Sequence, residues 1–503
     1  MADLSDLGAN VLVGFEVALA PFNLLFCLVG VVLGTAIGVL PGLGPTATMA
    51  LLLPVTYYLP PEAALIMLAG IYYGAQYGGS TTAILVNLPG EASSVVTCID
   101  GHQMARNGEA GKALAVAALG SFFAGCVATA VIVLAAPPLT GFAQKFGPAD
   151  YCSLMVLGLV TAVVLAHGSV IKAVAMILLG LLLGLVGTDV NTGNTRYTFG
   201  IDMLFDGIGF VPLAMGLFGI GEIIHNLGSP ERRGLVSGKV SKLWPDREDF
   251  RRAAPASVRG TLVGSALGVL PGGGATLSSF AAYTLEKKLS KQPERFGKGA
   301  IEGVAGPESA NNAAAQTSFI PMLTLGIPSN AVMAMMIGGM MIHGIIPGPL
   351  VMAERPGLFW GMIASMLVGN LMLLVFNLPL IGLWVRMLLV PYRLLSLAIL
   401  FFCCIGAYSL NNSIAEVMMI AVFGVLGYAF IKLDCEPAPL LLGFILGPMM
   451  ETNLRRAMLV EKGDWTVFLT RPISATLLAA TAVLLLVIVL PAVGRARERA
   501  FQE

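Results

Sequence analysis

The chain has 503 residues, 56% of them hydrophobic and only 12% charged, with a mean hydropathy of +0.84 and a formal net charge of zero. A soluble globular chain carries about 25% charged residues, so a soluble domain is excluded, and the charge balance suggests no nucleic-acid partner. Apolar runs of 18 or more residues recur along its length, each able to cross a bilayer.

No Lys or Arg precedes Arg106, so the acidic N-terminus (Asp3, Asp6) is expected on the outer face of the membrane. It has no basic n-region, and a cleaved signal peptide is not expected. A first hydrophobic stretch, 11–40, runs into Pro41-Gly42-Leu43-Gly44. A second, 47–59, leads to the neutral turn Pro60-Pro61. A helix is expected over 62–77. The segment from Gly78 to Ser94, with its Pro89-Gly90 tip and a short second arm at 95–99, reads as a re-entrant hairpin. The loop 100–112, carrying His102, Arg106 and Lys112, is placed in the cytoplasm. Spans near 112–137, 151–167, 169–190 and 208–225 lead to a connecting loop, 226–256. Its seven basic residues against four acidic ones make it cytoplasmic.

The second half repeats the first. Thirteen residues, 34–46, recur at 264–276 with nine identities. Each copy carries a small-residue helix face (Gly34 and Gly38; Gly264 and Gly268) that enters a Pro-Gly-x-Gly break, Pro41 to Gly44 and Pro271 to Gly274. The pair Ala75-Gln76 is echoed by Ala315-Gln316, and Pro212-Leu213-x-x-Gly216 by Pro439-Leu440-x-x-Gly443. The loop after the second break is basic (Lys287, Lys288, Lys291, Arg295, Lys298) where its counterpart, Pro60-Pro61, is neutral. The loop 343–355 is near-neutral where its counterpart, 100–112, is basic. Matched segments with opposite loop charge imply inverted topology.

The expected fold is therefore an all-α polytopic membrane protein with about 11–12 transmembrane helices, two inverted-topology repeats, broken helices and re-entrant hairpins. The first repeat spans 1–226 (break 41–46, hairpin 79–99), followed by a cytoplasmic linker, 227–256. The second spans 257–456 (break 271–276, hairpin 317–335). An extra C-terminal helix and basic tail fill 457–503, with Arg495, Arg497 and Arg499 placing the C-terminus in the cytoplasm. Strict inversion puts Arg455, Arg456, Lys462 and Arg471 outside, against the charge rule. Either 437–448 is a partial span or these groups have specific partners.

A helix broken inside a membrane exposes N–H groups that attract anions and C=O groups that coordinate cations. Gly42, Gly44, Thr46, Asn87, Pro89, Gly90, Ser93, Ser94, Gly272, Gly274, Thr276, Pro328, Ser329 and Asn330 are the candidate substrate-binding residues. Thr81, Thr82, Asn311, Asn312, Gln316 and Thr324 are the candidate cation ligands. Such hard oxygens and neutral donors suit Na⁺ and a carboxylate, and make anion binding depend on the cation. Glu91 is read as a surface charge or a gate. Glu308, a charge within an apolar stretch, is read as functional or as part of a buried structural pair. Proton chemistry at either leaves H⁺ as an alternative coupling ion. The four His lie near helix ends. The seven Cys show no metal-ligand spacing, and no cofactor is expected, nor any metal beyond bound Na⁺. No Walker A, Gly-x-Ser-x-Gly or His-Glu-x-x-His pattern occurs, so neither an enzyme nor an ATP-driven pump is expected. Secondary transport is the favoured reading, against a facilitative channel or an intramembrane scaffold.

Residues 34–46, 73–85, Asn87-Leu88-Pro89-Gly90-Glu91 and the run 307–330 together resemble the large membrane subunit of tripartite tricarboxylate transporters, over nearly the whole chain. The resemblance implies a bacterial inner-membrane permease for citrate-like or other carboxylates, driven by a cation gradient. It also implies two partners, a small four-helix membrane subunit and a periplasmic substrate-binding protein. The two tips are similar in design to those of elevator-type dicarboxylate carriers, a likeness of architecture alone.

Overall fold

The computed structural model describes residues 4–40, 44–165, 169–189, 191–227, 243–270, 274–388 and 392–489. Residues 41–43 and 271–273 of the two breaks, including Gly42 and Gly272, lie outside the described residues, as do half of the linker (228–242) and the basic tail.

The first half supplies α1 (Leu4–Leu19), α2 (Pro21–Gly38), α3 (Pro45–Thr56), α4 (Pro61–Val86), α5 (Val95–Arg106), α6 (Ala110–Ala143), α7 (Pro148–Leu165) and α8 (Val170–Gly184). Pro21 divides the expected 11–40 stretch into two helices. Proline fits the first helical position, where its missing N–H leaves no bond unmade. After α8 the chain forms a two-residue antiparallel pair, β1 (Gly187–Thr188) with β2 (Thr195–Arg196), a small departure from an all-α fold. Then come α9 (Phe210–Ala214), a π-helical turn (Met215–Ile220) and α10 (Gly221–Leu227).

The second half supplies α11 (Arg247–Gly268), α12 (Gly274–Leu289), α13 (Glu302–Thr317), α14 (Phe319–Leu325), α15 (Ala331–Ile342), α16 (Leu350–Glu354), α17 (Pro356–Asn377), α18 (Ile381–Met387) and α19 (Tyr392–Asn411). It ends with α20 (Ile414–Lys432), α21 (Pro437–Val460), α22 (Val467–Thr470) and α23 (Pro472–Val489). Among the described residues, five helices are long and apolar enough to cross a membrane, and seven shorter ones are apolar. This is a multi-pass membrane protein.

Packing divides the chain into two compact units, 1–140 with 211–428, and 141–210 with 429–503. In the first unit the sequence repeat is also a repeat of packing. Gly30, Gly34 and Gly38 of α2 press on the α4 backbone at Met67, Ile71 and Ala75, where any Cβ would collide. In return α4 offers Gly70, Gly74 and Gly78, and a Cβ on Gly74 would stand 2.7 Å from the Val31 carbonyl oxygen. Gly260, Gly264 and Gly268 of α11 press in the same way on Gly306, Ala310 and Ala314 of α13. Lipid provides no hydrophobic drive between helices, so close backbone approach through small residues is what holds such pairs.

The Pro212 and Pro439 motifs also share a packing mode. Gly216 and Gly221 of the first lie against Ile420, Phe423 and Gly427 of α20, within the first unit. Gly443 of the second lies against Ile177 of α8, within the second unit.

The second unit holds the residues that strained the topology. Helix α21 is continuous from 437 to 460, and two of the arginines have specific partners. Arg455 Nη2 donates to Asp189 at 2.8 Å and to Glu451 at 2.6 Å, and Arg196 donates to Glu451 at 2.8 Å. Arg471 donates through Nε and Nη2 to Asp150 Oδ2, at 3.1 and 2.8 Å, and Asp150 is wholly buried. In the loop after α8, the Asn191 backbone N–H and the Arg455 guanidinium hold the Asp189 carboxyl down at about 2.

Candidate substrate and cation site

The first tip differs from the expected hairpin. Helix α4 does not break at Gly78-Gly79 but runs unbroken to Val86. Gly78 is there for packing, since a Cβ on it would collide with the Thr35 carbonyl oxygen of α2. The hydroxyls of Ser80, Thr81 and Thr82 donate to the carbonyls of Gln76, Tyr77 and Gly78 at 3.0, 3.3 and 3.3 Å, which ties them to their own helix. Thr82 also reaches the Val39 carbonyl at 2.7 Å, just before the first break.

The turn comes at Asn87, in the left-handed region at φ 57°, a conformation Asn tolerates better than most residues. Pro89 and Gly90 follow. A Cβ on Gly90 would collide with the Gly38 carbonyl oxygen, so the tip is seated on the end of α2. Ser93 and Ser94 form a 3₁₀ turn, and Ser94 Oγ accepts from the Glu91 backbone N–H at 3.3 Å. The second arm is also longer than expected, because α5 continues to Arg106.

The second tip has the same construction. Helix α14 ends at Gly326, left-handed at φ 74°, and Pro328 follows. Asn330 then caps α15 by accepting from the Met333 N–H at 2.9 Å. Ser329 Oγ donates to the Ser318 carbonyl at 3.2 Å. Gly274 opens α12 beside this tip, where an added Cβ would lie 3.4 Å from Asn330 Nδ2. Thr46 and Thr276 sit half-buried in the first turns of α3 and α12, and Gly44 caps α3 while its carbonyl accepts from Thr48 at 3.0 Å.

Each tip reaches the long helix of the other half. Asn311 Nδ2 of α13 donates to Glu91 Oε1 at 2.9 Å, and Asn330 Nδ2 donates to the Tyr72 hydroxyl of α4 at 3.4 Å. Ser93 Oγ lies 2.6 Å from Glu91 Oε1 and 3.2 Å from Gln76 Oε1. Asn311 Oδ1 and Gln316 Oε1 are buried without a partner among the described residues. A buried carbonyl oxygen left unpaired is costly, and Asn311 Oδ1, on the amide that contacts the Glu91 carboxylate, suits a cation. No Lys or Arg occurs before Arg106 or between Lys298 and Arg355, so the sequence brings no fixed positive charge to either tip.

Not every predicted residue converges here. Thr324 donates to the Ile320 carbonyl at 2.8 Å, within its own helix. Asn312 turns towards α6, donating to Ser121 Oγ at 2.7 Å. Glu308 is 1% exposed and accepts from Ser80 Oγ at 2.6 Å and from the Thr97 hydroxyl, joining α4, α5 and α13.

Sequence reasoning missed Asp100, which it left in a loop. Asp100 lies on α5, is wholly buried, and accepts at Oδ1 from the backbone N–H groups of Gly297, Gly299 and Ala300 at 2.9, 2.8 and 2.8 Å. The Tyr283 hydroxyl donates to its Oδ2 at 2.9 Å. This carboxylate ties the helix after the first tip to the loop that precedes α13. An acidic residue at the end of an apolar arm was the available signal. Tyr72 and Gln76 were also missed, although Gln76 stands in the duplicated Ala-Gln pair.

A protein of Agrobacterium vitis described as an uncharacterized 52.8 kDa protein in the TAR-I ttuC' 3' region is 59% identical over 500 residues, covering 99% of this chain and 100% of that protein. Another from Agrobacterium vitis, described as an uncharacterized protein in the TAR-II ttuC' 3' region, is 60% identical over 240 residues, 48% of this chain and 99% of that protein. No solved structure matches. The pattern of the tripartite tricarboxylate transporter TctA family matches residues 24–442, and the chain belongs to that family as the large membrane subunit of a transporter, not an enzyme.

Proposed function

We propose that this chain is a secondary active, cation-coupled importer of carboxylates, with Na⁺ as the coupling ion. A tripartite system implies a binding protein and a small membrane subunit as partners. In this reading the former delivers substrate from the periplasm of a bacterial cell, and the latter is a four-helix protein of the inner membrane. The N-terminus is periplasmic, the C-terminus cytoplasmic, and the two halves are inverted repeats.

One observation carries the reading. Two matched tips, each a left-handed stop, a proline and a capped restart, meet side chains of the opposite half, and one of those side chains, Asn311, carries an unpaired carbonyl oxygen. Backbone N–H groups at the tips and at the starts of α3 and α12 would receive a carboxylate, as helix N-termini do. A cation at Asn311 Oδ1 would offset its charge, so each ligand raises the affinity for the other. Alternating access would follow from moving the tips and both breaks as one body, an elevator-type motion.

Uptake into proteoliposomes, with the binding protein and small subunit supplied, should collapse when the Na⁺ gradient is removed. Saturable uptake that persists with no ion gradient would refute coupling. Non-saturable flux without counterflow would identify a channel instead.

A further inference from the structure

A cleft of about 360 Å³ opens between the first half of α11, the end of α12 and the loop that leads to α13. Small-ligand sites occupy roughly 300–1,000 Å³. The charged lining is Arg252, Arg259, Lys291 and Arg295 against Glu286 and Glu302.

The contacts leave this cleft short of anions. Arg259 is taken up by protein: its Nε and Nη2 donate to Glu286 Oε1 and Oε2 at 2.7 and 2.6 Å, and it also feels the Glu302 charge. Arg252 pairs with Glu248 at 2.9 Å, an exposed i,i+4 contact of little strength. Lys291 and Arg295 make no ion pair among the described residues. The lining therefore carries uncompensated positive charge.

The two helices set the depth of the cleft. Before Arg259, α11 carries Arg247, Glu248, Asp249, Arg251 and Arg252; from Gly260 to Gly268 it carries no charge. Helix α12 is uncharged from Gly274 to Leu285 and then reads Glu286-Lys287-Lys288. The Arg259–Glu286 pair brings both transitions to one level, which in a bilayer is the headgroup level. On the Arg259 face of α11, Leu262 lies one turn further on the apolar side and is 63% exposed. A guanidinium matches phosphate oxygens in pairs, and basic pockets between membrane helices hold anionic headgroups. A soluble phosphate would meet the same cations but leave Leu262 uncovered.

We propose that this cleft binds the phosphate of one anionic phospholipid, held chiefly by Lys291 and Arg295, with an acyl chain along Leu262. The site does not depend on the cation-coupled reading above.

Native mass spectrometry of the full-length protein in detergent, titrated with phosphatidylglycerol, resolves successive lipid-binding events and tests the site. Lys291→Gln/Arg295→Gln should weaken the tightest event about tenfold or more relative to Lys287→Gln/Lys288→Gln. The second pair removes the same charge from exposed positions of α12 outside the cleft. Phosphatidylcholine, which has no net charge, should not distinguish the two pairs. Lys291→Gln alone, at an exposed position, should weaken the event several-fold, so the result stands even if the double variant folds poorly. Equal losses in the two pairs would mean general attraction to surface charge, and unchanged binding in Lys291→Gln/Arg295→Gln would place the lipid elsewhere; either overturns the proposal. Calorimetric titration with inorganic phosphate is the remaining arm. Phosphate binding abolished by Lys291→Gln/Arg295→Gln, with lipid binding intact, would make this a soluble-phosphate site and overturn the lipid assignment.

Discussion

Replacing Asp100 is the sharpest test of how the first tip is held. In Asp100→Ala three backbone N–H groups and one phenol lose a wholly buried acceptor, although Gly297 is exposed and Gly299 and Tyr283 are half-buried, so water can replace part of what is lost. Hydrogen bonds to a charged partner are worth roughly 1.5–3 kcal/mol each, and a buried donor left unmade costs about 1–3 kcal/mol. The four share one carboxylate and are not additive, and only Ala300 is a fully buried donor, so a total of about 3 kcal/mol is expected rather than the full sum. Asp100→Asn retains the shape and one acceptor oxygen and should lose about 2 kcal/mol, while Tyr283→Phe should lose about 1 kcal/mol. Denaturant titration of the reconstituted protein measures all three. The double variant Asp100→Asn/Tyr283→Phe should lose less than the two singles added, because both remove one shared contact. An Asp100→Ala midpoint equal to wild type would refute the reasoning, since it would mean the 297–300 loop needs no acceptor there.

Other expectations follow from the same geometry. Gly264→Val should fail to accumulate as folded protein, because its side chain must enter the Ala310 backbone; overpacking costs about 1–3 kcal/mol where relief is possible, and a backbone neighbour offers little. Normal yield and uptake would contradict the close approach of α11 to α13. Arg471→Ala should destabilise by about 1–3 kcal/mol, because the buried Asp150 then keeps only the Gly147 N–H at 2.8 Å, and Asp150→Asn in the same chain should recover part of that loss in a thermal-unfolding assay. Asp189, held down at about 2, contributes stability that is present above the ordinary Asp value near 4 and is lost as pH falls towards 2. Asp189→Asn should therefore flatten the decline in unfolding temperature over that window, and an unchanged decline would exclude Asp189 as its cause. Asn330→Ala and Ser93→Ala should weaken sodium-dependent uptake with normal membrane insertion; full activity in both would remove the tips from the site.

Much of the tip chemistry was legible in the chain because it is duplicated. Pro89 with Asn87 and Pro328 with Gly326 carry their own backbone restrictions, and Asn330 is a strong cap wherever it stands. The error at Gly78-Gly79 has a physical source. Glycine weakens a helix in water, but here it lets α2 and α4 touch and the helix continues. Ser, Thr and Asn gave the opposite difficulty: their type suits a cation, yet Thr81 and Thr324 spend their hydroxyls on their own helix and Thr82 gives its own to the Val39 carbonyl.

The sequence by itself determined that this is a membrane protein, that its two halves match, and which small residues would face a neighbouring helix. Those properties follow from composition and local spacing, which tertiary contacts cannot alter. Only the tertiary structure decided which polar atoms meet: Asn311 with Glu91, Asn330 with Tyr72, Asp100 with the 297–300 loop, and Arg471 with Asp150. These pairs lie between 197 and 321 residues apart in the chain. A hydrogen bond depends on placement within a few tenths of an ångström, and helix packing sets that placement.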